Sequence, residues 1–524
     1  MITCRLLIAL LFLNTGNLYA QLNADILIKN GKIIDGTGNN WYFGDIAVAN
    51  DKIIYIGKSA NIQATKIIDA GGLVVAPGFI DVHGHIESGI INNPAAANYI
   101  YDGVTTVVTG NCGGSAADIS GFLSAIDSLR PAINVATLVG HNTVRNAVMK
   151  HENRQPTAEE QTKMEALVEM AMQQGAVGLS TGLIYVPGTY AETGEVVGLA
   201  KAAARHNGIY VSHIRNEGNA VMEAINEAID IGRQASIPVQ ISHFKISSRA
   251  LWNRSAETIG LVEAARRDGW DVTIDQYPYT ASSTTLSIRL PDWAFAGGQD
   301  SLIYRLENPQ IRKQIKSSML DKLKQSKFKD YSFAMVANYP PDTSYNGKSI
   351  SEINRMLGRK SKASFEAETI MDMVKTGRVQ MVYHTMSEED VQRIMKYPYT
   401  MVGADAGVPT PGSGMPHPRG YGTNARVLGR YVREQQTISL EDAIRRMTSL
   451  AASRFGLTDR GMLKEGMAAD IVIFDPATVT DKATFEQPHA YSSGFRYVLV
   501  NGQLTIDNDQ QTTTRSGKAL RKRS

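Results

Sequence analysis

The stretch APGFIDVHGHIES, residues 76–88, places two histidines one residue apart at the end of an apolar run. On a β-strand successive side chains point to opposite faces, so His83 and His85 point the same way while Gly84 points away and takes no room. Two imidazoles that converge on one point are typical of a metal site. The alternatives are a buried pair of histidines or a chance His-Gly-His on a loop, and only the rest of the chain distinguishes them.

Strand and helix patterns alternate downstream of this stretch. From Gly78 to about residue 290, short apolar runs are separated by helical patterns such as AVMEAINEAIDIGRQA, residues 220–235. Seven strands are predicted there: FIDVHGH (79–85), GVTTVVTGN (103–111), INVATLVGH (133–141), GAVGLSTGL (175–183), GIYVSHI (208–214), PVQISHFK (238–245) and DVTIDQYPY (271–279). The alternation predicts parallel βα units, and with about eight strands an α/β fold of the TIM-type (β/α)8 barrel fits best.

Residues 291–378 break this alternation, because they are charged, rich in lysine and helical in pattern. We predict that they form an insertion that covers the barrel mouth. Two strand patterns follow, VQMVYHT (379–385) and TMVGADAG (400–407), which is one too many for eight strands. We expect VQMVYHT to belong to the insertion, although the sequence alone leaves the choice open.

The two ends of the chain share a different pattern, short alternating strands separated by turn residues. Residues 21–77 and 452–510 therefore predict one small β-sandwich domain built from both ends, with residues 78–451 as the barrel domain. The basic tail, residues 511–524, ends in RSGKALRKRS and is expected to be disordered.

Residues 1–20 have the pattern of a secretory signal peptide. One arginine precedes the apolar run LLIALLFL, and the small-residue segment LYA ends at Ala20. The run is too short to span a bilayer, and no cysteine stands at the cleavage site to carry a lipid. We therefore expect export, to the periplasm or outside the cell, without a stable membrane anchor.

The bulk composition is that of an ordinary globular enzyme, with 43% hydrophobic residues, 20% charged residues and a net charge of +3. This near-neutral balance argues against a nucleic-acid partner. Of two cysteines, only Cys112 remains after cleavage, so no intrachain disulfide is expected. Nothing in the sequence predicts the oligomeric state.

Potential metal ligands follow five of the predicted strands, at the end of the barrel where active sites lie. They are His83, His85, Cys112, His213, His243 and Asp405. Each alone has an ordinary interpretation, such as a core histidine, a buried inert thiol or a helix-capping aspartate, but a shared accident at equivalent strand ends is improbable. A thiolate among imidazoles favours zinc.

These residues resemble the N-acyl-D-amino-acid deacylase (D-aminoacylase) family of the amidohydrolase superfamily. The resemblance covers nearly the whole chain and includes GVTTVVTGNCG, LVGHNTVR, GLSTGLIYVPGTYA, DQYPYTASS, YHTMSEEDV and PHPRGYGT. Most dinuclear superfamily members have a carboxylated lysine on the fourth strand, whereas this chain has GLSTGLIYVPG there.

The resemblance implies a main zinc site of Cys112, His213 and His243. It implies a weaker second site of His83, His85, the shared Cys112 and Asp405. Asp405 would act as the catalytic acid and base, accepting a proton from water and returning it to the departing amine. By the same resemblance Lys245, Tyr277, Ser283 and Arg419 would bind the substrate carboxylate.

The predicted function is hydrolysis of the acyl amide of small-molecule N-acyl-D-amino acids, with stereochemistry taken from the resemblance alone. The alternatives are a dipeptidase acting on peptides with a C-terminal D-residue, a cyclic-amide hydrolase, which usually needs the bridging lysine, and a non-catalytic binding protein. A basic residue deep in the pocket would favour D-Glu or D-Asp, and an apolar wall would favour D-Leu, D-Met or D-Phe; we expect an apolar or broad pocket.

Overall fold

The computed structural model describes residues 22–58 and 61–522, and its centre is a ring of eight parallel strands. The strands are Phe79–Asp81, Val104–Thr109, Asn134–Thr137 continued by Val139–Gly140, Gly178–Gly182, Ile209–His213, Val239–Ile241, Val272–Gln276 and Thr400–Val402. Backbone hydrogen bonds join the ring at its two seams, from Val177 to Thr137 (2.9 Å) and from Asp405 to His83 (2.8 Å). This is the TIM-type barrel that the strand–helix alternation predicts.

Helices connect the barrel strands and lie on the outside of the ring. Those before the insertion are Glu87–Asn92, Ala97–Ile100, Ile119–Leu129, His141–Met149, Ala158–Gln173, Thr193–Ala204, Val221–Ala235 and Ser255–Arg267. Those after it are Glu388–Lys396, Arg419–Arg426 continued by the wider turns of Val427–Glu434, Leu440–Met447 and Ser449–Phe455. Short 3-10 turns occur at Gly188–Tyr190 and Arg249–Leu251.

The insertion forms a small α/β layer between the seventh and eighth barrel strands. Its three-stranded antiparallel sheet consists of Ser282–Thr285, Gln380–Tyr383 and Ala334–Asn338, in that order. Its helices are Gln299–Glu307, Pro309–Gln325, Ile350–Met356 and Ala363–Thr376, with 3-10 turns Leu286–Arg289, Asp292–Phe295 and Thr343–Tyr345. VQMVYHT thus pairs within the insertion, and the insertion is wider than residues 291–378 because its sheet takes strands from both flanks.

The small domain contains strands from both ends of the chain. These are Leu22–Ile33, Tyr42–Ala49, Lys52–Gly57, Ile62–Asp69, Val74–Pro77, Ile471–Phe474, Phe495–Val500, Gln503–Asp507 and Gln510–Gln511. They form one nine-stranded sheet that branches at its first strand, which pairs with Ile62–Asp69 along its first part and with Val74–Pro77 along its second. Side chains from both branches share one apolar core.

The expectation of a disordered tail is corrected by the structure over residues 511–522. Gly517 donates its backbone N–H to Pro131 and Leu520 donates to Val135, both at 2.8 Å. Leu520 is buried in an apolar cluster with barrel residues that include Ala136, Val177 and Ile209. The basic composition of the segment does not indicate these two hydrogen bonds, because backbone groups make them and composition describes only side chains.

The predicted signal peptide, residues 1–20, lies outside the described residues. Over residues 22–58 and 61–522, none of the helices combines the length and the apolar character needed to cross a bilayer.

Candidate metal centre and active site

The predicted ligands all lie on one rim of the barrel, at the carboxyl ends of its strands. His213 is the last residue of the fifth strand, and the others follow their strands within four residues. Cys112, His243 and Asp405 have left-handed backbone conformations, with φ of 54°, 34° and 51°. Such values are uncommon for residues other than glycine and concentrate at functional sites. Each chain segment therefore turns sharply where it presents its ligand.

Two glycines allow the backbone to approach this closely. A side chain at Gly182 would meet the carbonyl oxygen of Cys112 at 2.1 Å, and one at Gly113 would meet Asn142 Oδ1 at 2.3 Å. The loop that carries Cys112 can therefore lie directly against the fourth strand.

Cys112, His213 and His243 form a compact group of donor atoms. The Cys112 sulfur lies 3.4 Å from His213 Nδ1 and 3.6 Å from His243 Nε2, and the two nitrogens are 2.9 Å apart. Bonds of about 2.3 Å to sulfur and about 2.0 Å to nitrogen in a tetrahedral zinc site place ligand atoms roughly 3.3–3.6 Å apart. The two sulfur–nitrogen distances lie within this range, whereas the nitrogen–nitrogen distance is shorter than its lower limit. The chemistry of a thiol and two imidazoles fits zinc.

The protonation states of this group also fit a metal. Burial, with the charge of Lys245 as a second cause at His243, holds the pKa of His213 and of His243 well below the ordinary range. Both imidazoles are therefore neutral, as a ligand must be. Burial raises the pKa of the Cys112 thiol, so a nearby cation is needed to stabilise the thiolate.

A second group of donor atoms adjoins the first and shares Cys112. His83 Nε2 lies 3.2 Å from the Cys112 sulfur and 3.7 Å from Asp405 Oδ1, and His85 Nε2 lies 3.1 Å from the same oxygen. Within each group the donor atoms are all within 4.8 Å of one another. The structure thus brings together all six residues proposed as ligands, in the two sets that the resemblance implies.

Asp405 is ionised and held at both oxygens. Burial opposes its ionisation, but the Arg419 guanidinium and the hydrogen bond from His85 keep the pKa of this carboxyl well below its usual range. Arg419 Nη2 lies 2.9 Å from Asp405 Oδ2. The carboxylate is thus placed to accept a proton beside both donor groups.

Two carboxylates behind the ligands were missed by the sequence reasoning. Glu217 Oε1 lies 2.9 Å from His243 Nδ1 and 3.7 Å from His213 Nε2, and it also pairs with Lys245. Asp275 Oδ1 lies 3.4 Å from His83 Nδ1 and accepts the backbone N–H of His243. Carboxylates that face the outer nitrogen of a ligating histidine fix its tautomer and orientation.

Each of these two carboxylates had a signal in the sequence. Glu217 follows His213 by four residues, on the loop that leaves the same strand. Asp275 is a charged residue within a strand, Val272–Gln276, whose five residues are all buried. An unexplained charge in a buried strand beside ligand-bearing strands indicates such a partner.

The four residues predicted to bind a carboxylate differ in whether their polar groups already have hydrogen-bond partners in the protein. Arg419 Nη1 and the Tyr277 hydroxyl are buried and make no hydrogen bond to other described residues. Two cations lie near the Tyr277 ring: the Arg419 guanidinium is 4.4 Å and the Lys245 ammonium 5.6 Å from the ring centre. The Ser283 hydroxyl, in contrast, is engaged with Met381 and Gln380 in the insertion sheet. Arg419 and Tyr277 are therefore the free donors.

Two cavities meet at this rim, and Tyr185 stands between them. Its hydroxyl is 3.0 Å from Thr284 Oγ1 of the insertion, and both residues line both cavities. The first cavity, about 500 Å³, contains His85 and Arg419. The second, about 360 Å³, contains His213, His243, Lys245, Tyr277 and, from the insertion, Arg289 and Lys322. Asp405 lines both, so a ligand can extend to either side of it.

Comparison with known proteins yields a consistent set of relatives. The profile of the amidohydrolase family matches residues 66–276 and 345–506. The chain is 35% identical to an N-acyl-D-glutamate deacylase of Alcaligenes xylosoxydans xylosoxydans, over 96% of this chain and 97% of that protein. It is 36% identical to a D-aminoacylase of the same organism, over 95% of this chain and 97% of that one.

Solved structures agree with these relatives. A crystal structure of D-aminoacylase matches with a TM-score of 0.82 and 34% identity, covering 95% of this chain and 100% of that one. An N-acyl-D-glutamate deacylase of Bordetella bronchiseptica, complexed with zinc and a phosphonate that mimics the tetrahedral intermediate, matches with the same TM-score and coverage at 36% identity. D-hydantoinase, at 16% identity and a TM-score of 0.58, shares the fold.

Proposed function

The chain belongs to the N-acyl-D-amino-acid deacylase (D-aminoacylase) family of amidohydrolases, and we propose that it hydrolyses the acyl amide bond of N-acyl-D-amino acids with zinc held by Cys112, His213 and His243. One observation carries this assignment: a thiol and two neutral imidazoles converge within 4.8 Å of one another beside an ionised carboxylate. His83, His85, Cys112 and Asp405 would form the weaker second site. The products are a carboxylate and a free D-amino acid.

The chemistry divides between the ion and the protein. When bound, zinc supplies a Lewis acid that polarises the amide carbonyl and activates water near neutral pH. Asp405, ionised beside the ligands, accepts the proton of the attacking water at a carboxylate oxygen. It then returns that proton to the departing amine, because an amine leaves only when protonated. His85 and Arg419 hold the carboxylate in place during both transfers.

The substrate carboxylate would bind between Arg419 and Tyr277. Of the four residues predicted to bind the carboxylate, Arg419 and Tyr277 have a buried donor, Nη1 and the hydroxyl, that makes no hydrogen bond within the described part of the chain, and a carboxylate accepts from both. Lys245 adds positive charge 5.6 Å from the centre of the Tyr277 ring. We assign no direct contact to the Ser283 hydroxyl, which is occupied within the insertion sheet; its backbone carbonyl accepts a hydrogen bond from Arg419 Nη2 at 3.2 Å instead.

The assignment is tested with the purified protein, its zinc measured, on N-acetyl-D-leucine, N-acetyl-L-leucine and N-acetyl-D-glutamate. We expect turnover of the D-substrates only, lost together with bound zinc in Cys112→Ala. Zinc binding without turnover of either D-substrate would refute it. Cleavage of dipeptides with a C-terminal D-residue would then identify the dipeptidase alternative.

An acidic D-side chain is the favoured substrate, in contrast to the apolar or broad preference expected from the sequence. Arg289 and Lys322 line the cavity that also contains His213 and His243, and neither forms an ion pair with a carboxylate in the part of the chain that the structure describes. The Arg289 guanidinium lies 4.2 Å from the Tyr383 ring centre, with its Nε buried and unpartnered. A second carboxylate on the substrate would supply the missing acceptor.

This preference predicts a lower KM for N-acetyl-D-glutamate than for N-acetyl-D-leucine. Arg289→Met should remove the difference, since a charge-assisted hydrogen bond is worth about 1.5–3 kcal/mol, or roughly 10- to 150-fold. Lys324→Met, which removes a charge outside the cavity on the same helix as Lys322, is the matched control and should change neither KM. Equal KM values for the two substrates in the unmodified protein would refute the acidic preference.

We also propose that the protein is exported, on the pattern of residues 1–20. Expression of the full chain should give a product that begins at Gln21 in the periplasmic or secreted fraction, as N-terminal sequencing would detect. A product that keeps residues 1–20 and stays in the cytoplasm would contradict this.

A further inference from the structure

His417 lies in the loop between Asp405 and Arg419, and both of its ring nitrogens are engaged with backbone. Nε2 lies 2.9 Å from the carbonyl oxygen of Ala281, and Nδ1 lies 3.0 Å from the backbone nitrogen of Arg419. The side chain is 5% exposed, so water does not compete for these bonds.

The two partners fix the protonation of the ring. A carbonyl oxygen can only accept, so Nε2 carries the proton. A backbone N–H can only donate, so Nδ1 is unprotonated and accepts through its lone pair. The ring packs against Tyr279 and Phe485, at centroid distances of 5.1 and 5.0 Å. Burial, aided by the charge of Arg419, lowers the pKa of His417 well below its ordinary range. The imidazole is therefore one neutral tautomer with one orientation.

The two segments joined by this ring both contribute residues to the first cavity, Ser283 from one and Arg419 from the other. Ala281 leads from the seventh barrel strand into the insertion strand that contains Ser283, and Arg419 supplies the guanidinium paired with Asp405. The sequence reasoning gave His417 no role, because its contacts are with backbone groups of segments distant in the chain or hidden in a loop.

We propose that His417 is a positioning residue for substrate binding, a neutral brace that fixes the backbone of Arg419 against Ala281 so that the free guanidinium nitrogen meets the substrate carboxylate. This inference rests on the proposed function, since it acts through the carboxylate assigned to Arg419. Without the brace, the Arg419 backbone can shift relative to Tyr277, and the carboxylate loses part of its binding.

Other contacts hold the rest of the loop, so the role of His417 is local. Asn98 Nδ2 donates to the carbonyls of Gly420 (2.7 Å) and Gly407 (3.2 Å), and the Tyr99 hydroxyl donates to Ala406 (2.7 Å). Removing the imidazole therefore leaves the loop anchored at both ends. A change confined to Arg419 is expected, rather than melting of the site.

The test compares N-acetyl-D-glutamate with its α-carboxamide. The two differ only in the α-carboxylate, because both keep the carboxylate of the side chain. His417→Leu should lower kcat/KM for the carboxylate substrate about 10-fold, mainly through KM, because this substrate pairs its charge with Arg419 Nη1. The carboxamide should stay within about twofold, because Asp405 and the Ser283 carbonyl still hold Arg419 Nη2 and so keep Asp405 in place. His384→Leu is the matched control, since its imidazole packs on the same Phe485 ring without a contact to Arg419. It should change neither substrate.

Conservative variants separate positioning from structure. His417→Asn keeps an oxygen that can accept from Arg419, and His417→Gln keeps an amide that can donate to Ala281, so each should recover part of the loss; they also serve if His417→Leu does not fold. Equal losses on both substrates, or no loss in any variant, would overturn the proposal. Absence of turnover in the unmodified zinc-loaded protein would instead overturn the proposed function.

Discussion

Glu217→Gln should weaken zinc binding without touching a ligand. Glu217 Oε1 lies 2.9 Å from His243 Nδ1 and 3.7 Å from His213 Nε2, so its charge faces the outer nitrogens of two of the three proposed ligands. It also neutralises Lys245, whose side chain is 3% exposed. Burial alone would lower the pKa of Lys245, but the Glu217 charge outweighs it and the pKa is raised. Glutamine keeps the shape of the side chain and removes that charge.

The magnitudes follow from these contacts. A carboxylate behind one metal-ligating histidine is worth about 10- to 100-fold in metal affinity. Because Glu217 faces two histidines, we expect the dissociation constant for zinc to rise toward the upper part of that range. Removing one partner of a buried pair costs about 3–5 kcal/mol of unfolding free energy. Lys245 keeps a hydrogen bond to the His243 carbonyl (2.9 Å), so the lower end applies here.

Zinc affinity is measured by competition with a chromophoric chelator, and stability by urea unfolding of the metal-free protein. Glu227→Gln is the matched control: its side chain is 15% exposed against 11% for Glu217, and it pairs with Arg215 at 2.8 Å without contacting a proposed ligand. The control should lose stability and keep its zinc affinity within about twofold. Unchanged zinc affinity in Glu217→Gln would refute the orienting role.

Asp405→Asn should lower kcat by about 10²- to 10⁴-fold while zinc remains at the Cys112 site, as metal analysis and steady-state kinetics would show. Glu195→Gln should cost about 3–5 kcal/mol of unfolding free energy at pH 7, because it breaks a buried pair with Arg145. Burial opposes ionisation of Glu195, but His141 and Arg145 hold its pKa below the ordinary value. Its contribution is therefore complete above the ordinary pKa of about 4.3 and is lost as pH falls through the lower folded-state value, so the variant should lose less stability on acidification. Deleting residues 514–524 should lower the unfolding free energy by about 2 kcal/mol or more, since burial of Leu520 alone is worth about that much.

Each of these outcomes can fail. Loss of zinc in Asp405→Asn would assign the residue to the metal site rather than to proton transfer. A Glu195 variant with an unchanged acid limb would show that the pair does not control acid stability. An unchanged thermal transition in the shortened chain would show that the tail contacts contribute nothing.

The sequence by itself predicted the barrel and the candidate metal ligands. Strand and helix periodicity is local and can be read from short segments. Because functional residues of such barrels lie at the carboxyl ends of the strands, the histidines, the cysteine and the aspartate that follow predicted strands are expected on one rim. The structure brings His83, Cys112 and Asp405 together although they are separated by up to 322 residues. Their chemistry is readable residue by residue, because few side chains suit zinc.

The tertiary structure decided what depends on contacts between distant segments. The roles proposed for Glu217, Asp275 and His417 rest on the atoms that face them, which no local sequence pattern specifies. The insertion extends beyond its predicted limits because Ser282–Thr285 pairs with Gln380–Tyr383, about a hundred residues away. The ordered tail and the cationic residues of the second cavity both differ from the sequence-based expectation for the same reason. Composition is a property of the chain, whereas burial and pairing are properties of the fold.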